Sequence, residues 1–238
     1  MQSGYFKSGS ASIYYELHGE GEEVLVLLHG NGGNCKNFKN QIPFFSKKYK
    51  ILAIDSRGHG ESGFGENAIS LGAMAMDLEN LCDYLGYKKI NILGFSDGAN
   101  IAMMFAIKNP DMVNKLILVG GNIKFSGLTF TTGLMIMFGY LSSCILSKID
   151  KKLTANKEMF ALMVKEPNLK PSMLNVIKAK TLVVNGNKDM IRICHAKTIT
   201  KNIPNAELKI VNGDHFYLFK KPNEFNSLVM EFLQINRR

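Results

Sequence analysis

The stretch Ile90-Asn91-Ile92-Leu93-Gly94-Phe95-Ser96-Asp97-Gly98, running on into Ala99-Asn100-Ile101, decides how this chain is read. Its first four residues form a short β-rich apolar run, and residues 99–108 have the composition of a helix. Between them lies G-x-S-x-G, in the strand-to-helix context that gives the pattern meaning. A serine in such a turn sits in a strained backbone conformation and needs small neighbours, which Gly94 and Gly98 provide. The turn lifts the hydroxyl above the carboxyl edge of the sheet, where open α/β sheets bind ligands. It also aims the Asp97 backbone N–H at the place where an oxyanion would form.

Outward from this turn, the chain alternates apolar runs with amphipathic stretches. Val24-Leu25-Val26-Leu27-Leu28, Ile51-Leu52-Ala53-Ile54, Leu116-Ile117-Leu118-Val119 and Thr181-Leu182-Val183-Val184 read as buried parallel strands. Leu71, Met74, Leu78, Leu81, Cys82 and Leu85 fall at helical spacing, with Gly86 as the C-terminal stop. Residues 5–7 and 12–16 read as an antiparallel edge hairpin turned at Gly9-Ser10, and 207–211 as the last strand. Strands alternating with helices imply a parallel, doubly wound sheet. The alternation breaks over residues 121–180, which show helical periodicity and no clear strand. The expected organisation is a core of residues 1–120 and 181–238 carrying a helical insertion at 121–180.

A serine hydroxyl is a weak nucleophile at neutral pH and needs a base, itself oriented by a third group. His215 lies in Gly213-Asp214-His215-Phe216, just after the last strand, and Asp189 lies directly after the strand at 181–184. The order Ser96, Asp189, His215 is the one this architecture requires. All three fall on loops after strands, hence on one edge of a parallel sheet. Asp214 adjoins the base, but a sequence neighbour rarely reaches the ring in the needed geometry. Asp55 reads as a residue that ties its loop, and His18 and His195 as surface positions.

These motifs resemble the α/β-hydrolase superfamily over nearly the whole chain. Leu28-His29-Gly30-Asn31-Gly32-Gly33 is similar to the family's His-Gly loop, which implies that the Asn31 N–H joins that of Asp97 in an oxyanion hole. Asp55-Ser56-Arg57-Gly58-His59-Gly60-Glu61-Ser62 resembles its D-x-R-G-x-G-x-S loop, which makes His29 and His59 structural. The resemblance implies a mostly parallel eight-stranded sheet flanked by helices, with 121–180 as a cap over the site. Asp97 departs from the pattern, since many members carry an apolar residue, Met or Gln there. A carboxylate pointing into an oxyanion hole would oppose charge development, so its side chain is expected to face away, toward helix N–H groups.

Composition narrows the function. The 238 residues are 46% hydrophobic and 21% charged, as in ordinary globular proteins, and the net charge is +9. The lysines are scattered, with no basic stripe and no basic block, so no nucleic-acid partner is read. The surplus leaves an acidic carrier protein as a conceivable part of the substrate. Cys35, Cys82, Cys144 and Cys194 lie far apart and the first residues form no apolar run, which is the pattern of a cytoplasmic chain with reduced thiols. No His/Cys/Asp cluster has metal-ligand spacing, and P-loop and dinucleotide fingerprints are missing, so neither a metal nor another cofactor is expected. Residues 125–147 carry no charge, but seven of the 23 are Ser or Thr and three are Gly, which reads as a cap segment rather than a membrane span. Helical spacing within it puts Leu134, Met137, Phe138 and Leu141 on one face, the expected wall of an apolar substrate pocket.

The expectation is therefore a cofactor-free serine hydrolase that cleaves esters of apolar acyl or alcohol groups through an acyl-enzyme. Thioester hydrolysis, hydrolysis of carbon–carbon bonds and a non-enzymatic ligand sensor using the same pocket are its rivals, because fold does not fix function.

Overall fold

The computed structural model of the protein describes residues 1–66 and 69–234. Eight strands form one sheet: β1 (Gln2–Ser8), β2 (Ala11–His18), β3 (Val24–Leu28), β4 (Lys50–Ile54), β5 (Ile90–Phe95), β6 (Val113–Val119), β7 (Lys180–Gly186) and β8 (Ala206–Val211). Their spatial order is β1-β2-β4-β3-β5-β6-β7-β8. β1 and β2 pair antiparallel, as does β2 with β4, and every later pair is parallel. The expected edge hairpin and doubly wound sheet are both present.

The continuous apolar runs follow from burial on both faces. Val24, Val26 and Leu28 of β3 enter one core while Leu25 and Leu27 enter the other. Full burial of each such side chain is worth roughly 1.5–3 kcal/mol against leaving it exposed. The first core is closed by α2 (Leu71–Leu85), α3 (Asp97–Lys108) and α6 (Ile193–Asn202), the second by α1 (Ile42–Phe45) and α8 (Pro222–Gln234). A single turn, α7 (Tyr217–Lys220), precedes α8. Ser70 caps α2 by accepting from the Ala73 N–H at 3.1 Å, and Gly86 ends it at φ 74°.

One difference from the sequence reading has a plain cause. β6 begins at Val113, three residues before the apolar run, because Lys115 lies buried in it with its ammonium group on the Leu233 carbonyl. The helix expected after the strand at 181–184 is α6, whose bounds leave no periodic signal because its buried side is only Ala196 and Ile199.

Between β6 and β7 the backbone forms α4 (Phe130–Ile149), α5 (Thr154–Lys165) and short 3₁₀ turns, with one isolated bridge from Leu128 to Ile191. α4 and α5 pack closely: a Cβ on Gly139 would lie 2.5 Å from the Phe160 ring.

Candidate active site

Ser96 ends β5 and opens α3 at φ 55°, the one non-glycine residue with positive φ among the described residues. Such a conformation persists only where the surroundings enforce it, and it is found most often at functional sites. Here β5 and α3 hold both sides of the turn, with the Ser96 N–H bonded to Val119 O at 2.8 Å.

The three loops expected to converge do so. His215 Nδ1–H donates to Asp189 Oδ1 at 2.7 Å, which leaves Nε2 free to accept from the Ser96 hydroxyl at 3.0 Å. Asp189 Oδ1 also accepts from the Ile191 N–H at 2.9 Å and Oδ2 from the Gly186 N–H at 3.3 Å, so the carboxylate cannot swing away from the ring. His215 is buried, with the Phe95 ring 4.9 Å from its own. Asp214 turns outward instead, accepting from the Phe216 N–H and the Lys220 ammonium group, which together hold its carboxyl below the usual range. It makes no contact with the imidazole that would orient it.

The loops around the nucleophile are tied to one another. Asp55 accepts from the Cys35 N–H at 2.7 Å and the Glu61 N–H at 2.8 Å, so it anchors its loop as read. Arg57 makes a two-point buried pair with Asp77 on α2, at 2.6 and 2.9 Å. His29 accepts from the Ser56 N–H at Nε2 and donates from Nδ1 to Gly30 O, and burial pushes its pKa from 6.5 down to about 4.

This neutral histidine has a consequence for acid stability. As pH falls from 6.5 toward 4, the unfolded chain takes up a proton at His29 that the folded chain refuses. Stability is therefore lost as pH falls through that window, by about 3 kcal/mol from this group. Denaturant unfolding of His29→Asn should show correspondingly less loss between neutral pH and the lower end of the window. Equal losses in the variant and the native chain would assign the acid sensitivity elsewhere.

Asp97 is buried beside Ser96, and its carboxyl is pushed up by burial against the pull of its amide donors. Its carboxylate is held by side-chain amides rather than by the expected helix N–H groups: Oδ1 accepts from Asn100 at 3.1 Å and Oδ2 from Asn31 at 3.0 Å. The Asn31 amide also donates to Met159 O on α5 at 3.2 Å. The two residues whose backbones were expected to supply the oxyanion hole are thus joined through their side chains, and α5 is fastened to the pair.

The expected pocket wall needs correction. Leu134, Phe138 and Leu141 are 61, 73 and 55% exposed and face solvent, while Met137 is half-buried. The face of α4 that packs on α5 is the one bearing Gly139 and Ser143, because small residues let two helices approach closely. The helix beside the site is α5. His195, expected on the surface, is half-buried and accepts from the Ile123 N–H at 3.0 Å; burial, together with Arg192 and Lys124, lowers its pKa. His18 is likewise half-buried, paired with Glu16 at 2.8 Å.

One residue escaped the sequence reading altogether. Gly120, directly after β6 at φ 58°, faces the imidazole, and a Cβ there would lie 2.8 Å from the His215 ring and 3.5 Å from Asp189 Oδ2. Its position after a strand on the same sheet edge was the available signal. Gly120→Ala should displace His215 and lower kcat by about 10²-fold or more. A variant with unchanged kcat on a simple ester would show that the ring tolerates the methyl group.

Comparison with known proteins agrees with this architecture. Residues 23–153 match the family profile of the alpha/beta hydrolase fold. The chain is 29% identical to a 2-hydroxy-6-oxononadienedioate/2-hydroxy-6-oxononatrienedioate hydrolase of Pseudomonas putida, over 93% of this chain and 91% of the relative. It is 26% identical to the mouse (Mus musculus) serine hydrolase BPHL, over 93% and 83%. A solved structure from work on carboxylesterases of the ammonia-oxidizing thaumarchaeon Nitrososphaera gargenis superposes with a TM-score of 0.81 at 25% identity, covering 97% of each chain.

Proposed function

Because this chain belongs to the alpha/beta hydrolase fold family, we propose that it is a serine hydrolase that cleaves carboxylic esters through an acyl-enzyme. The observation that carries the reading is the continuous hydrogen-bonded chain from Ser96 through His215 to Asp189. In this reading His215 Nε2 takes the hydroxyl proton as Ser96 Oγ attacks the ester carbonyl. Asp189 holds the imidazole in the tautomer that can accept it and stabilises the imidazolium. The negative charge that develops on the carbonyl oxygen is met by the backbone N–H groups of Asn31 and Asp97. The proton passes from His215 to the leaving alcohol, and water, activated by the same ring, releases the acid.

Two buried or half-buried carboxyls favour an uncharged substrate. Asp97 lies next to the nucleophile, and Glu166 is close enough that burial and the Asp97 charge both raise its pKa. Negative potential at this position disfavours substrates that bring carboxylates of their own. The segment 121–180 serves as the cap in this reading, with α5 forming the wall over the oxyanion loop. The unpaired cysteines, with Cys35 and Cys82 buried, support a cytoplasmic setting.

A second reading, hydrolysis of a carbon–carbon bond, is favoured by the similarity to the Pseudomonas putida relative, whose name is that of a dienedioate hydrolase. One set of assays separates the readings. A fluorophosphonate probe should label Ser96, as mapped by mass spectrometry, and p-nitrophenyl esters should turn over faster than a 2-hydroxy-6-oxodienoate. A higher kcat/KM on the dienoate would favour the second reading. Labelling without turnover of any acyl compound would leave a ligand sensor.

A further inference from the structure

Helix α4 is built inside out. Gly139 and Ser143 mark its packed side, Gly139 against Phe160 of α5, while Phe130, Leu134, Phe138, Leu141, Ile145 and Ile149 form a solvent-facing apolar stripe, with Phe130 84% and Ile149 80% exposed. These positions recur every three to four residues along all 20 residues of the helix, so the stripe is about 30 Å long. A soluble surface gains nothing from such a stripe, and contiguous apolar patches of this extent mark sites of association.

The charges around the stripe say what it meets. α4 contains no Asp or Glu. At its N-terminal end stand the exposed Lys124 and Arg192, the latter on the rim of an apolar groove that includes Phe125, Phe130 and Leu134. At its C-terminal end stand the exposed Lys148 and Lys151, outnumbering the adjoining Asp150. A second copy of the chain would set cations against cations whether the two helices paired parallel or antiparallel, because both ends carry the same sign. An anionic surface satisfies both ends at once.

We propose that the outer face of α4 docks on an anionic lipid bilayer, with the helix lying in the plane of the interface and its apolar stripe inserted among the acyl chains. The helix is long and apolar enough to cross a membrane, but its geometry opposes that. Its other face is packed on α5, and its flanks are fastened to the core by hydrogen bonds from Thr129 N–H to Met190 O and from Leu169 N–H to Ile123 O. Amphipathic helices that lie on membranes combine the same two features, a buried apolar face and cations attracted to acidic headgroups.

The test is co-sedimentation of the purified full chain with vesicles of equal parts phosphatidylglycerol and phosphatidylcholine, and with vesicles of phosphatidylcholine alone. The chain should sediment with the acidic vesicles, bind the neutral ones far more weakly, and be released by high salt. Lys148→Gln with Lys151→Gln should weaken binding roughly 30-fold, since each cation near an anionic surface contributes about fivefold. Ile145→Asp with Ile149→Asp should abolish binding while melting temperature and circular dichroism stay those of the native chain. Equal binding to neutral vesicles, or no binding to either, would overturn the proposal. So would retention through salt and alkaline washes, which means a span, or a vesicle-free dimer that the isoleucine variant dissociates.

Discussion

Ser96→Ala should lose on the order of 10⁶ in kcat toward an ester that the native chain turns over, the scale seen when a serine hydrolase loses its nucleophile. Alanine keeps the Cβ and leaves the contacts of the turn between β5 and α3 in place, so what disappears is the hydroxyl 3.0 Å from His215 Nε2. The melting temperature should move little, and that control separates chemistry from folding. A variant retaining a tenth of native activity would show that another group attacks the substrate.

Asp189→Asn should follow with a loss of around 10⁴, because the change acts through the base. The native carboxylate accepts from the His215 ring and from two backbone N–H groups, and it has no proton of its own to offer. An asparagine must turn an NH₂ toward one of these donors. If the NH₂ faces the ring, it donates to Nδ1, and the proton moves to Nε2, where it blocks acceptance from Ser96. Asp214→Asn should change kcat by only a few fold, since that side chain is engaged with Lys220 and the Phe216 N–H. Measured side by side, a larger loss at Asp214 would exchange the roles assigned to the two acids.

The parallel, doubly wound character of the sheet and the meeting of Ser96, Asp189 and His215 were legible for one physical reason, while the order in which the strands lie side by side was not. Each legible feature rests on a local signal, an apolar run or a turn after a strand, and parallel pairing carries every such turn to the same edge. The two-sided burial of β3 left an uninterrupted apolar run, and the Gly86 stop of α2 marked its own helix end. What remained hidden depends on relations between distant segments. Apolar residues also flank the packed side of α4, with Ile136 and Met137 half-buried, so the sequence could not tell which face packs. That choice was made by Gly139 meeting Phe160 across the α4–α5 contact. The side-chain bond from Asn31 to Asp97 was hidden too: the two residues were expected to meet through their backbones, and nothing local shows that the amide and the carboxylate face each other across the pairing of β3 with β5. Gly120 looked like any glycine after a strand until His215 was placed against it.

The positive φ of Ser96 sets the demands of heat resistance against those of turnover. A side chain held in that region costs on the order of 1–3 kcal/mol, and glycine adopts it freely, offset by about 1 kcal/mol of extra backbone entropy in the unfolded chain. The most direct local route to a hardier fold thus runs through the residue the proposed reaction can least spare. Variants of this protein selected only for surviving heat would drift toward glycine at position 96, and they would be sturdy, well folded and inert.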